Sequence, residues 1–418
     1  MPKPKQLLKL IVALSILSVA AARASDLFQV DVVSGTSRID VGGNTLIDLT
    51  QQLINNTGQF SSLQGQSYTA ALNYGGVPNA LNFAVTQGVQ YTAKLTTPFD
   101  PGLINRTFTG TSQSDLYNQI KDYLKSSGSS DFAKFLAAIG KDSPAGVVDG
   151  NPHASTANSA NVSFFQYAFA PTQTQEESDA PESSGNTSST GLAFTADGGQ
   201  FSSKVNGTKI TGDNYSFSPM MPFRLADRVR LEVTLPLDYT KIEGANEFGI
   251  GLQLALPVLV VKHTKDNPWT WQLTPSGGAL ASGSEELVAG GVLGDGALAS
   301  YTSYRWNKWE FGMGNAFSFY RGIKITVGGY SFDPDVSQEI VKNGLKVGRQ
   351  LGKHWYAELY AIDTEFIEAA YTPRYTTLGG GVGYRGSKKK GFLMIGGYTD
   401  LAPGYSAAKL QFGTGWKF

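Results

Sequence analysis

From residue 191 onward the chain alternates apolar and polar residues with a period of two, segment after segment. RVRLEVTLPLDYT (228–240) sets Val229, Leu231, Val233, Leu235, Leu237 and Tyr239 on one face, with Arg230, Glu232, Thr234, Pro236 and Asp238 on the other. FGIGLQLALPVLV (248–260) alternates Phe248, Ile250, Leu252 and Leu254 with Gly249, Gly251, Gln253 and Ala255. WEFGMGNAFSF (309–319) and KLQFGTGWKF (409–418) repeat the pattern. A period of two is the mark of a strand whose faces meet different media. The apolar rows are almost free of charge, and the charges fall on the opposite rows. Segments of about ten residues, separated by turn residues, count to twelve strands, or fourteen if NVSFFQYAFA (161–170) is a first strand. The expected fold class is an all-β transmembrane barrel, antiparallel, of about 12–14 strands, preceded by a small α+β N-terminal domain.

Before residue 155 the periodicity differs. LIDLTQQLI (46–54) has helical spacing, and SYTAALNYG (67–75) and NFAVTQGVQYTAKL (82–95) alternate like strands. Two helices follow. Ser114 is placed to cap one that buries Leu116, Ile120, Tyr123 and Leu124 and stops at Gly128. Ser130 is placed to cap one that buries Phe132, Phe135, Leu136 and Ile139 and stops at Gly140. Residues 25–155 are therefore expected as an α+β domain, either a plug or a periplasmic module. Residues 156–190, polar and acidic in PTQTQEESDAPESSGNTSST, are expected as a linker or loop. The barrel is expected over 191–418.

The first residues add a destination. Lys3, Lys5 and Lys9 precede an apolar run, Leu10 to Ala22, and Ala22-Arg23-Ala24 is a cleavage pattern, so 1–24 reads as a secretory signal peptide. The formal net charge is +0. Removing 1–24 leaves 30 basic against 34 acidic residues, which gives no basic excess for nucleic acid. There is no cysteine, hence no disulfide and no thiolate metal site. No later stretch is long and apolar enough for a spanning helix.

Tryptophan and turn length carry the membrane reading. Trp269, Trp271, Trp306, Trp309, Trp355 and Trp416 all fall at expected strand ends, where indole suits the boundary between headgroup and hydrocarbon. Counting turns back from the C-terminus puts 386–391, 349–353, 320–322 and 241–247 on the periplasmic side. It puts 263–268, 305–308, 331–343 and 363–374 outside. Trp269, Trp271, Trp306 and Trp309 then form an outer level, and Trp355 and Trp416 an inner one.

The ending, with Phe412, Trp416 and a final Phe418, resembles the C-terminal assembly signal of bacterial outer-membrane barrels. SGSEEL (282–287), YTSYRW (301–306) and SFDPDVSQEIVKNGL (331–345) are also similar to a group of bacterial barrels that carry an N-terminal α+β domain. The resemblance implies outer-membrane lipid and the barrel-assembly machinery as partners, a bacterial outer-membrane location, and room for a homo-oligomer.

Little in the chain speaks for an enzyme or a cofactor. His153, His263 and His354 are too scattered for a metal site. VGRQLGKH (347–354) lacks P-loop spacing and reads as strand–turn–strand. A rim site of His263 and Asp266 with Asp363 or Glu365 is the sharpest enzymatic idea, against a plain solvated loop. What remains is a lumen. Arg230, Glu232, Asp238, Glu310, Lys324, Glu358, Arg385 and Lys409 are expected to line it, with inward glycines 379, 381, 383, 413 and 415 leaving space. Three functions follow: a porin-like channel for small polar solutes, plugged or open; a barrel exporting a polypeptide; and a surface adhesin or structural barrel with a closed lumen.

Overall fold

The computed structural model describes residues 26–43, 45–125, 127–145, 191–264, 266–284, 289–327, 330–332, 336–385 and 391–417. Residues 1–24, expected as a signal peptide, His153, the stretch 161–170, the expected linker over 156–190 and Phe418 lie outside the described residues.

The N-terminal part is an antiparallel sheet of six strands, β1 (Phe28–Ser34), β2 (Ser37–Gly43), β3 (Tyr68–Tyr74), β4 (Val77–Thr86), β5 (Tyr91–Thr96) and β6 (Asn105–Gly110), in the order β2-β1-β3-β4-β5-β6. One face alternates into a core of Phe28, Val30, Val32, Leu72 and Tyr74. Helices α1 (Leu46–Asn55), α2 (Gln113–Lys125) and α3 (Ser127–Asp142) accompany the sheet. Leu116 and Ile120, and then Phe135 and Ile139, are buried at the one-turn spacing that a helix places on one face. The expected helices are present, with adjusted ends. Ser112 rather than Ser114 caps α2, its Oγ accepting the Asp115 amide at 3.1 Å. α3 begins at Ser127, before Ser130, and runs through Gly128 and Gly140. The single strand expected over 82–95 is a hairpin, β4 and β5, turning at 87–90.

The rest is a closed antiparallel barrel. Its segments are β7 (Gly191–Val205), β8 (Thr208–Ala226), β9 (Val229–Thr234), β10 (Leu237–Ile242), β11 (Ala245–Ala255), β12 (Val258–Val261), β13 (Trp269–Ser284), β14 (Ala289–Trp306) and β15 (Trp309–Ile323). They continue with β18 (Ser337–Gln350), β19 (Trp355–Phe366), β20 (Arg374–Arg385), β21 (Gly391–Ala402) and β22 (Tyr405–Lys417). β16 (Ile325–Val327) and β17 (Tyr330–Phe332) form a small hairpin of their own between β15 and β18. β22 pairs with β7 from Gly191↔Lys417 to Ser203↔Tyr405, which closes the wall.

These fourteen segments fill twelve staves. β9 and β10 both pair with β8 and are two halves of one stave interrupted at Pro236. β11 and β12 are likewise one stave interrupted at Pro257, both paired with β13. Proline has no N–H for the ladder, so each breaks a stave without ending it. The bonds resume alongside: Gly251 N donates to Pro236 O at 2.9 Å, and Arg230 N to Pro257 O at 3.1 Å.

The register defines two rims. The terminal rim carries Gly191, Lys417 and the connections 227–228, 262–268, 307–308, 351–354 and 386–390. The other carries 206–207, 243–244, 285–288, 324–336, 367–373 and 403–404. This corrects the expected turn assignment. Residues 320–322 are not a turn, because β15 runs on to Ile323. The strand expected over 323–329 is therefore not a stave. An extra stave reverses the side of every connection before it, so 263–268 and 305–308 move to the terminal rim and 241–247 moves to the other. All six tryptophans consequently lie at the terminal rim, one level in place of two.

The outer face is apolar along its height. On β11 the outward row is Phe248, Ile250, Leu252 and Leu254, exposed by 65%, 53%, 51% and 45%, while the alternate residues turn inward. Phe412 and Trp416 also face outward.

Candidate functional site

The inward rows build the site. Near the terminal rim, Lys346 of β18 sits between carboxylates of its two neighbouring staves. Its Nζ is 3.8 Å from Glu310 Oε1 and 4.0 Å from Glu358 Oε2. Glu310 also accepts Arg305 Nε at 3.2 Å and Tyr301 Oη at 3.0 Å. The Lys346 ammonium lies 5.1 Å from the Tyr301 ring centroid, and the Arg385 guanidinium 4.8 Å from that of Tyr356. Arg230 reaches Glu232 at 3.7 Å.

At mid-height, Lys409 of β22 binds Asp197 of β7 across the closing seam at 2.8 Å, and also contacts Asn214. Asn214 donates to Thr240 at 2.7 Å. Gln253 donates to Asp295 at 3.1 Å, and Thr377 to Asp400. Lys342 and Lys346 are each 3% exposed and Asp400 is 2%. Charges this enclosed are held by partners rather than by bulk water. Positive and negative groups on neighbouring staves thus cross-link the interior.

Glycine makes room for the ring layer. A Cβ on Gly383 would lie 2.0 Å from Tyr356 Cζ, and one on Gly379 2.4 Å from Tyr360 Cζ. The two tyrosines of β19 therefore lie over the glycines of β20. The space expected at these inward glycines is occupied by rings.

Toward the other rim apolar side chains gather on the inward rows, beside the buried Ser203, Glu247 and Asp400. Phe201, Val205, Ile210, Ile242, Ala245, Tyr405 and Ala407 form a collar that is one cluster with the core of the N-terminal domain. A second group, with Leu293, Tyr320, Ile340 and Phe366, packs against Ala137 of α3. The β3–β4 turn enters the collar. Asn206 Nδ2 donates to Gly76 O at 3.0 Å, and a Cβ on Gly76, whose φ is +86°, would be 2.2 Å from Val205 Cγ1. Only glycine permits both that backbone and that approach. Tyr74 is buried here. Its phenol is pushed well above its ordinary value by burial first and then by the Glu247 carboxylate of β11.

The expected lining residues fall as follows. Glu232, Glu310 and Lys409 are buried, Glu358 and Arg385 belong to the lower cluster, and Asp238 lies against Gly249 on the inward row. Lys324 is a correction: it lies just past the end of β15 and is exposed. Asp197, Asp295, Lys342, Lys346 and Asp400 were not anticipated. Lys342 and Lys346 share a face four residues apart, but 331–343 reads as a loop in the sequence because of its Asp, Pro and Ser content. The rim site does not assemble, because His263 is at the terminal rim while Asp363 is near the other, bound to Arg374 at 3.0 and 2.9 Å. VGRQLGKH is the strand–turn–strand expected, β18 into β19.

No protein-family model and no curated protein matches the sequence. Among solved structures, the chain is similar to the translocator domain of the autotransporter NalP from Neisseria meningitidis. The identity is 12% and the TM-score 0.42, with 61% of this chain and 98% of that one covered. It is similar to the beta domain of the Bordetella autotransporter Brka at 13% identity and TM-score 0.39, covering 54% and 98%. An outer membrane channel from Pseudomonas putida F1 gives 13% and 0.40, covering 57% and 99%. Identities and scores of this size transfer no function.

Proposed function

We propose that this chain is an outer-membrane transport barrel whose mouth opposite the termini is stoppered by its own N-terminal domain. The observation that carries the reading is the change of lining along the lumen. Charged pairs cross-link the lumen near the terminal rim and at mid-height, and toward the other rim an apolar collar, with the Thr377–Asp400 pair beside it, is continuous with the core of residues 26–145. The outward apolar rows suit hydrocarbon, and closure of the wall leaves no unpaired edge in it. The tryptophan level suits a headgroup boundary. On this reading Phe412, Trp416 and Phe418 serve as the signal for the barrel-assembly machinery, and residues 1–24 as the export signal.

A second reading has its own support. The lumen charges are enclosed and cross-linked, as a structural barrel with a closed interior would need. Planar-bilayer recording separates the two. Val205→Asp with Ile210→Asp puts two carboxylates into the collar and should loosen the stopper. The transport reading expects rare openings from the full chain and frequent ones from the variant. An inserted variant as silent as the parent supports the closed barrel.

A further inference from the structure

The outer face is apolar along β11 but not across β14, β15, β18 and β19. Parity puts Ser300, Asn315, Asn343 and Asp363 on the outward rows of these four neighbouring staves. The register sets them side by side, Ser300↔Asn315, Asn315↔Asn343 and Asn343↔Asp363. The ends of this polar row are paired within the wall. Ser300 Oγ accepts Trp271 Nε1 at 3.1 Å, and Asp363 holds Arg374.

The two amides in the middle are different. Asn315 Nδ2 donates to Asn343 Oδ1 at 2.7 Å, and both side chains are exposed on the wall. An asparagine amide carries an acceptor oxygen and two N–H donors. The bond between the two therefore leaves Asn315 Oδ1 as an acceptor and the Asn343 amide N–H groups as donors. Among the described residues, neither has a further partner.

Depth makes this costly. Asn315 stands six residues along β15 from Trp309, and Asn343 six along β18 from Arg349, the residue paired with Trp309. At about 3.3 Å rise and about 40° tilt, six residues climb about 15 Å from the tryptophan level. The apolar band of a membrane barrel is about 25 Å tall, so the pair lies within it. Acyl chains offer neither donor nor acceptor, and headgroups stay at the margins. Polar groups in that position call for a protein partner.

We infer, resting on the membrane reading above, that this face docks a second copy of the chain about a two-fold axis along the membrane normal. A half turn about an axis between the two amides sets the second copy's Asn343 opposite Asn315, and its Asn315 opposite Asn343. Each leftover acceptor then meets a leftover donor, twice over. Register neighbours are about 4.8 Å apart, and the tilt separates them by about 3 Å in height, which an amide side chain spans. The face is self-complementary, as a two-fold contact between identical chains requires. Leu345 and Leu359, exposed by 63% and 71% on the neighbouring outward rows, add apolar area to the contact.

The test is photo-crosslinking of the full chain in native membranes. p-Benzoylphenylalanine replaces either Leu345, two residues from Asn343 on the same row, or Phe217 of β8, outward on the far side of the barrel. The expected products are a dimer of the chain from position 345 and lipid adducts from position 217. Asn315→Leu with Asn343→Leu should cut the dimer by about tenfold or more and turn position 345 to lipid adducts. Lipid adducts at 217 in that variant show that it is still inserted. Three results overturn the second copy as occupant and leave the membrane barrel standing. They are lipid adducts alone from position 345 of the parent, a product with a different protein, and a dimer that survives the double replacement. No lipid adduct from position 217 of the parent overturns both.

Discussion

Replacing Lys346 by methionine tests whether the lower charge cluster holds the wall together. The ammonium lies 3.8 Å from one carboxylate and 4.0 Å from another, and its side chain is 2% exposed. At an effective dielectric of about 20, each contact is worth about 4 kcal/mol of attraction. The loss is not their sum, because the desolvation of Lys346 is recovered. Glu310 also keeps Arg305 at 3.2 Å and Tyr301 at 3.0 Å. Removing one member of such a buried group costs about 3–5 kcal/mol, mainly through the charge left behind. Glu358 is the residue more exposed to that loss. The assay is urea unfolding of the refolded barrel in detergent, followed by tryptophan emission. Lys346→Met should lower stability by about that amount, and adding Glu358→Gln should restore most of it. Additive losses in the double variant, or a change below about 1 kcal/mol in the single one, would refute the cluster as a cross-link.

Gly383→Ala drives a methyl to within 2.0 Å of Tyr356, so it should destabilise the barrel by about 1–3 kcal/mol in the same unfolding assay, and be near neutral in a Tyr356→Ala background. Equal costs in both backgrounds would contradict the ring-over-glycine packing. With all six tryptophans at one rim, brominated lipids labelled near the headgroup should quench emission far more than lipids labelled near the bilayer centre; equal quenching would place the rings elsewhere. In the domain, the Thr111 amide donates to Asp115 at 2.9 Å and holds its carboxyl below the ordinary value. A depressed folded value stabilises above the unfolded pKa of about 3.9 and is lost as pH falls through the folded one. Asp115→Asn should therefore flatten the acid limb of domain stability below about pH 4, as read by thermal melts across pH; an unchanged limb would remove Asp115 from it.

Which faces are which was legible in the sequence, because a period of two is local. Glu232, Glu310, Glu358 and Lys409 fall inward by parity alone. Topology was less legible, since it is a running count in which one error propagates. Tyr320-Arg321-Gly322 has turn composition, yet its backbone groups continue the ladder with β14 and β18. Reading it as a turn added a stave and sent four tryptophans to the wrong rim. Lys342 was hidden because Asp333, Pro334 and Asp335 pulled the expected loop past the start of β18 at Ser337. The tyrosine layer was hidden for another reason. Tyr356 and Tyr360 alternate with charge, and no single-strand pattern says whether a phenol faces a lumen or a lipid headgroup. The docking of the domain is carried by Gly76 and Val205, 129 positions apart, and such pairings leave no mark on local periodicity.

On the proposed membrane reading, a belt of indoles at a single rim would fix the barrel's depth from one side only. Five of the six rings stand well out from the wall, and Trp309 is braced by Arg349 at 4.7 Å. A bilayer that thickens or thins would keep its registry with this belt, so the adjustment falls on the opposite margin, where the domain is seated. Lipid of mismatched thickness would then press on the stopper before it disturbed the anchored end.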